Sequence, residues 1–395
     1  MILKQESTFH RFYVGGNKWK FSDEIYFKLT KKRVRSSYNP IIFVSIEKIS
    51  DLIPNKNVYG LFWSTPTFKD VDCNYLLHLN DKDDFDYIIS TSSGNTVEGM
   101  ARTIKKYNSE RGKNIRAILL VPELSSYKVS RSAIISNPYV KFIVLKHSTL
   151  DSTRIFADKL NNHLAHTSKV VYANADIKTA AYSQIGLILK ENNLLNDDIC
   201  YVQTVSGGVG PAGFIESAYK LKANPEILIT QPTGGKSTPL IDALNSHSNG
   251  KDPYSIFKNG QYNTSQIEPT LGSTNPLYAI DKFINWKGNG GRILPTRITS
   301  EELFQFKDQI LNALVKVGVY PSKKIGLKLF DIEKSGFMAF VGAITSATRI
   351  QSSNIIINFT GRYPDSHMTN FISATPHLIY DPSNGVQKLI RVLGI

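Results

Sequence analysis

The stretch Tyr87-Ile88-Ile89-Ser90 runs straight into Thr91-Ser92-Ser93-Gly94-Asn95-Thr96, and Val97-Glu98-Gly99-Met100-Ala101 follows. A short continuous apolar run, a turn of small hydroxylated residues with one glycine, and a helical pattern over Thr96–Tyr107 make a strand–loop–helix unit. Small residues at a helix N-terminus expose backbone N–H groups toward an anion, although an ordinary N-cap turn has the same composition.

The unit recurs along the chain. Continuous apolar runs predict strands at Ile41–Ile46, Tyr87–Ser90, Ala117–Val121, Phe142–Leu145, Cys200–Val205, Glu226–Thr230, Ile325–Leu329 and Ile355–Phe359. Helical patterns cover Ser152–His163, Lys178–Glu191 and Ala212–Leu221, and Thr299-Ser300-Glu301-Glu302 opens another with a capping signal. Alternation of this kind predicts an α/β fold with mainly parallel sheets, and places functional residues in loops at the carboxyl ends of strands. The first 55 or so residues resist assignment.

The 395 residues carry 41% hydrophobic and 20% charged side chains, the balance of a soluble globular chain with room for a cleft between lobes. Two cysteines, Cys73 and Cys200, are too few for a disulfide framework, match no zinc spacing and predict free thiols in a reduced compartment; no metal is expected. No signal peptide or membrane span is read from the sequence, so a cytoplasmic location without membrane contact is expected. The net charge of +14 would attract anions, nucleic acid among them. The basic residues are scattered, however. The densest group, Lys31, Lys32, Arg33 and Arg35, reads as a solvated face, and no aromatic interleaving marks a base-stacking platform. No nucleic-acid partner is expected.

Two further loops carry chemistry. Ser206-Gly207-Gly208-Val209-Gly210 lies between a strand and a helix, where glycines let the backbone approach a phosphate; it matches neither a Walker nor a dinucleotide fingerprint. Thr65-Pro66-Thr67-Phe68-Lys69-Asp70 offers a lysine, and a lysine amine can form a Schiff base with an aldehyde.

In their order, the three loops resemble the fold type II enzymes that use pyridoxal 5'-phosphate (PLP), the tryptophan synthase beta superfamily, and threonine synthases in particular. Pro66-Thr67-Phe68-Lys69-Asp70 is similar to that family's Schiff-base lysine segment, shortened by two residues. Ser93-Gly94-Asn95-Thr96 is similar to its Ser-Gly-Asn-Thr loop, and Ser206 to Gly210 to its phosphate cradle. Val121-Pro122 with Lys128, Lys178-Thr179-Ala180-Ala181, Ile298 to Glu302, Glu333 to Gly336 and Thr360-Gly361 continue the likeness over roughly residues 60 to 365. The resemblance implies two α/β lobes, each a mainly parallel sheet flanked by helices, with the cofactor between them: residues 1–60 and 166–395 in the larger, 61–165 in the smaller. It implies Lys69 as the catalytic, cofactor-bearing lysine. Asn95, Ser206, Gly207, Gly208, Val209, Gly210 and Thr360 would be the other cofactor ligands. Ser92, Ser93, Gly94 and Thr96 would bind substrate. Thr360 would meet the pyridine nitrogen, with Thr375 a weaker candidate. A homodimer is implied as well.

Substrate-side positions depart from the family. Val71-Asp72 stand where Arg-Gly is usual, and Val170-Val171-Tyr172-Ala173 replaces a segment whose arginine helps to bind a substrate phosphate. Uncharged residues cannot supply charge-assisted bonds. The expected substrate is therefore an amino acid with a β- or γ-leaving group other than O-phosphohomoserine, handled by a lyase or synthase through elimination and replacement. Lys128, Lys178 and Arg362 are the motif cations that could meet an anionic side chain, although each also reads as a surface charge. Two alternatives stand beside this: a non-catalytic relative serving as a binding module, and an authentic threonine synthase.

Overall fold

The structure is a computed structural model. It describes residues 10–14, 42–49, 52–63, 69, 73, 76–77, 85–92, 94–172, 175–233, 238–257, 262, 267–268, 271, 273, 276–332, 334–360 and 372–395. The strands, in chain order, are β1 (His10–Val14), β2 (Ile42–Lys48), β3 (Asn57–Trp63), β4 (Tyr87–Thr91), β5 (Arg116–Pro122), β6 (Val140–Leu145), β7 (Val170–Tyr172), β8 (Ile199–Thr204), β9 (Glu226–Pro232), β10 (Ile293–Ile298), β11 (Asn354–Phe359) and β12 (Leu378–Tyr380). Among the described residues they form two sheets. One has seven strands in the order β1-β2-β3-β11-β8-β9-β10, the other five in the order β12-β6-β5-β4-β7. The five-stranded sheet is parallel throughout. In the larger sheet β3, β11, β8, β9 and β10 are parallel, and β1 and β2 join as antiparallel strands at one edge.

The helices that matter for the site are α1 (Asn95–Arg111), α2 (Leu150–Leu164), α3 (Ala175–Tyr182), α4 (Gln184–Glu191), α5 (Val209–Lys220), α6 (Ser300–Lys316), α7 (Lys323–Ile332), α8 (Ser335–Thr345) and α9 (Val386–Leu393). The capping signal before α6 is realised as a reciprocal box. Thr299 Oγ1 accepts from Glu302 N–H at 3.1 Å, and Glu302 Oε2 accepts from Thr299 N–H at 2.8 Å.

The inner strands of both sheets are covered on both faces, which is why they read as unbroken apolar runs. Successive residues of a strand point to opposite faces. Leu61, Tyr201, Ile227 and Ile356 pack with Ile185 of α4 and Phe214 of α5. Phe62, Val202, Leu228 and Ile355 pack on the other side with Leu311 of α6 and Phe337 of α8. In the smaller sheet Ile88, Leu119 and Phe142 meet α1 through Val97 and Met100, whereas Ile89, Leu120 and Ile143 meet Phe156 of α2 and Leu389 of α9.

Several assignments differ from the sequence reading. Ile325–Leu329 lies in helix α7, not in a strand: its buried positions are Gly326, Leu329 and Phe330, a helical spacing that the apolar alternation of Ile325, Leu327 and Leu329 conceals. The expected helix Lys178–Glu191 is two helices, α3 and α4, parted at Ser183. The unassigned N-terminal stretch contributes β1 beside the expected strand β2, and β3, an interior strand paired with β2 and β11, was not among the expected strands.

A polar network ties three neighbouring strands together inside the large sheet. Trp63 Nε1 donates to Asn358 Oδ1 at 2.8 Å, Asn358 Nδ2 donates to Tyr201 Oη at 2.7 Å and to Gln203 Oε1 at 3.0 Å, and the Tyr201 hydroxyl donates to Gln203 Oε1 at 2.6 Å. Burial pushes the Tyr201 phenol far above its ordinary pKa, with the Asn358 bond opposing. Asn358→Leu removes three of these bonds. At about 1 kcal/mol or more per buried bond it should destabilise the protein by about 3 kcal/mol in urea unfolding. Gln203→Leu, at the network's end, should cost less.

Candidate active site

Parallel strands bring their carboxyl ends to one side, and the predicted motifs follow those ends. Lys69 comes after β3, Thr360 directly after β11, and Ser206 to Gly210 after β8; these are three adjacent strands of the large sheet. Ser92 to Thr96 follows β4 in the other sheet, and α2 begins after β6. All of these segments line one cleft of about 130 Å³. Of the predicted residues, Lys69, Asn95, Thr360 and all of Ser206 to Gly210 are on its walls, together with Ser92 and Thr96. Gly94 is buried within its loop. Ser93, Pro66, Thr67, Phe68, Asp70, Val71, Ala173, Gly361, Arg362 and the Lys31–Arg35 cluster lie outside the described residues. Thr375 is elsewhere: with Ala374, His377 and Arg131 it lines a separate hollow of about 790 Å³ that holds none of the other predicted residues.

Lys69 has a partner that the sequence did not point to. Its Nζ donates to the Tyr182 hydroxyl at 2.9 Å and lies 4.6 Å from the centroid of that ring. Tyr182 closes α3 and is 1% exposed, so ring and hydroxyl together fix where the amine sits. Lys178, four residues earlier on the same helix, also lines the cleft.

The Ser92–Thr96 loop is internally braced. Ser92 Oγ accepts from Gly94 N–H and from Thr96 N–H, each at 3.1 Å, and so caps α1 from two residues before Gly94. Gly94 has φ +122°, and a Cβ there would stand 2.9 Å from Cβ of Lys128. That contact leads to a correction. Lys128 is neither a surface charge nor a wall of the cleft: it is fully buried and ion-paired with Glu268, itself 1% exposed. Glu268 Oε2 also accepts from Lys334 N–H at 2.7 Å, one residue before Ser335, which lines the cleft.

The glycine-rich loop meets α5 at Gly208, where φ is +78° and no side chain caps the helix. A Cβ at Gly208 would fall 2.7 Å from Cβ of Ala279, so the turn is available to glycine alone. The uncapped N-terminus leaves backbone donors facing the cleft, the arrangement that holds phosphate groups. Ser206 Oγ accepts from Ser273 N–H at 2.9 Å, and Gln203, the end of the buried network, forms part of the floor.

Tyr182, Gln203 and Arg154 were not found by sequence reasoning. Tyr182 sits just past the Lys178-Thr179-Ala180-Ala181 motif and was within reach of it. Gln203 reads as an interior strand residue. Arg154, on α2, carries no local signal; only the tertiary fold brings it to the cleft.

No family model and no curated protein matches the chain. Solved structures do. Maize serine racemase superposes with a TM-score of 0.60 at 15% identity, covering 95% of this chain and 97% of that one. A pyridoxal 5'-phosphate-dependent aspartate racemase gives 0.59 at 14% identity, with 88% and 96% covered. A bacterial threonine deaminase gives 0.53 at 13% identity, with 78% and 88% covered. The chain thus has the two-sheet α/β architecture of the fold type II PLP-dependent enzymes, as the motif order implied. Among the described residues, no helix is long and apolar enough to cross a membrane.

The Lys128–Glu268 pair should be costly to break from either side. Lys128→Met leaves a carboxylate buried, and urea unfolding should register a loss of about 3–5 kcal/mol. Adding Glu268→Leu should recover part of that loss, short of all of it because Lys334 N–H loses its acceptor.

Proposed function

We propose that this protein is a PLP-dependent enzyme acting on an amino acid, with Lys69 as the residue that holds the cofactor. The observation that carries the reading is the convergence on one cleft of Lys69, Thr360 and the glycine-rich loop from three adjacent strands, with Asn95 on the facing wall. Each part fits the group. An amine stands at Lys69 Nζ, an uncapped helix N-terminus with a glycine that tolerates no Cβ stands at Gly208, and a hydroxyl stands at Thr360. PLP, when bound, supplies an electron sink for charge developing at the substrate α-carbon.

The chain's residues would then divide the work. The backbone N–H groups of Ser206 to Gly210 and the start of α5 hold the phosphate. Thr360 would offer the ring nitrogen a hydroxyl and not a carboxylate, which would favour elimination and replacement over transamination. Asn95 would hold the phenolic oxygen, and the Ser92–Thr96 loop would orient the substrate carboxylate. Lys69, its amine positioned by the Tyr182 hydroxyl, would move the proton at the substrate α-carbon. The reaction class is a lyase or synthase step on an amino acid with a β- or γ-leaving group, with O-phosphohomoserine outside its substrates. Of the three neighbouring structures described above, two bear the name racemase and one deaminase, and α-proton removal is a step that such activities share. The reading also divides the chain into a larger lobe, 1–60 and 166–395, and a smaller one, 61–165, whose sheet additionally takes in β7 and β12. A homodimer is the assembly expected of it.

The test is direct. Purified protein given PLP should absorb in the visible, and borohydride reduction should fix the cofactor to Lys69 in a peptide map. Lys69→Ala should abolish both the trapped peptide and all turnover. Retention of bound, reducible cofactor by that variant would sink the assignment. Incubation with O-acetylserine, O-phosphoserine and O-phosphohomoserine, followed by keto-acid, amino-acid and chiral analysis, separates elimination, replacement and racemisation; turnover of O-phosphohomoserine to threonine would make the protein a threonine synthase instead.

A further inference from the structure

Arg154 stands on the second turn of α2, and the start of that helix is locked by a reciprocal capping pair between Thr149 and Ser152. Arg154 and Leu150 line the cleft from the side of the five-stranded sheet. The guanidinium is held by one nitrogen. Nη1 donates to Asp151 Oδ1 at 2.8 Å and to Ser273 Oγ at 3.3 Å. Among the described residues Nε and Nη2 have no hydrogen-bond partner, and these two form one of the paired-donor edges with which arginine grips a carboxylate or phosphate. Ser273 in turn donates its N–H to Ser206 Oγ, so the guanidinium is referenced to the glycine-rich loop while belonging to the opposite wall.

The charge of the cleft points the same way. Its described lining holds Lys69, Lys178 and Arg154 and no aspartate or glutamate; Asp151, which pairs with Nη1, is not part of it. The phosphate of the cofactor has the backbone donors of the α5 N-terminus, and the α-carboxylate of a substrate has the Ser92–Thr96 loop. Arg154 belongs to neither set. The Arg154 side chain is 37% exposed, so beside a neutral side chain its open edge keeps water, whereas an anionic one gives it a paired charge-assisted contact.

We infer that Arg154 selects the substrate by binding an anionic group at the end of its side chain, so that the substrate is an acidic or phosphorylated amino acid and not a neutral one. The inference rests on the reading of Lys69 as the cofactor lysine. The arginine comes from a helix outside the motifs that carry the resemblance to threonine synthases, and it makes the cleft cationic although Ala173 stands where those enzymes have theirs.

The experiment uses PLP-loaded protein and follows its visible spectrum during titration with aspartate, glutamate, O-phosphoserine, serine and alanine. Wild-type protein should bind at least one anionic amino acid about 100-fold more tightly than serine or alanine, the effect expected of a paired charge-assisted contact. Arg154→Met should reduce that preference to about threefold or less and leave the affinity for serine and alanine unchanged. Arg154→Lys should keep part of it, because the charge remains while the paired geometry is lost. Preference for O-phosphoserine over aspartate and glutamate identifies the anion as phosphate, the reverse as carboxylate. The affinity of Arg154→Met for PLP, read by fluorescence titration of the apoprotein, should stay within about threefold of wild type on the same scale.

Equal binding of neutral and anionic amino acids by the wild type would overturn the inference. A loss of PLP affinity in Arg154→Met would assign the arginine to the cofactor phosphate instead. An equal loss for every amino acid would make it a clasp between the two walls. Absence of any lysine-bound PLP in the wild type is a different failure, that of the proposed function itself, and the inference would fall with it.

Discussion

Lys128 and Glu268 leave water together, and much of the cleft's geometry hangs on that. A lysine or a carboxylate buried alone costs several kcal/mol, so each side chain is where it is because the other is there. Lys128 follows β5 of the smaller sheet, while Glu268 belongs to the segment between β9 and β10 of the larger one. The pair is thus a fixed point shared by two walls. Gly94 rests on the Lys128 side chain, which sets the height of the Ser92–Thr96 loop, and Glu268 takes the N–H of Lys334, which sets the start of α8 at Ser335. Two loops that meet the cleft from different sheets are in this way measured from one ion pair.

The architecture was legible because the inner strands are covered on both faces. Continuous apolar runs such as Ile118 to Val121 and Ile355 to Ile357 can hardly be anything but interior strands, and the turns after them carry the glycines and hydroxyls that a carboxyl-end loop needs. Failures have equally local causes. Ile325 to Leu329 alternates like a strand but buries like a helix, and the choice is made by α6 and α8 packing around it. Strand β10 contains Pro295 and Arg297, which break the apolar pattern in a strand that lies at the sheet edge, where such residues are tolerated. Of the site, the residues on motifs were readable and the residues that act across the cleft were not. Tyr182 reaches Lys69 over 113 positions and Arg154 reaches Ser273 over 119; no local pattern encodes either distance.

Sharing this architecture does not select a reaction. Proteins bearing the names serine racemase, aspartate racemase and threonine deaminase superpose on the chain at 13 to 15% identity, so the scaffold is common to proteins of different names. What distinguishes them has to be sought in the few side chains that face the substrate. In this protein the residues that line the cleft come from both sheets: amine, hydroxyl and glycine-rich turn from the larger, guanidinium and hydroxylated loop from the smaller.

The Trp63–Asn358–Tyr201–Gln203 network lies behind the floor of the cleft, which it reaches through Gln203. It is built of an indole, two amides and a phenol, and burial keeps that phenol uncharged well beyond the ordinary tyrosine range. Such a network presents fixed dipoles and exchanges no protons with solvent as pH changes across the neutral range. A change of pH therefore reaches the cleft through the other groups that line it, and not through this part of the interior.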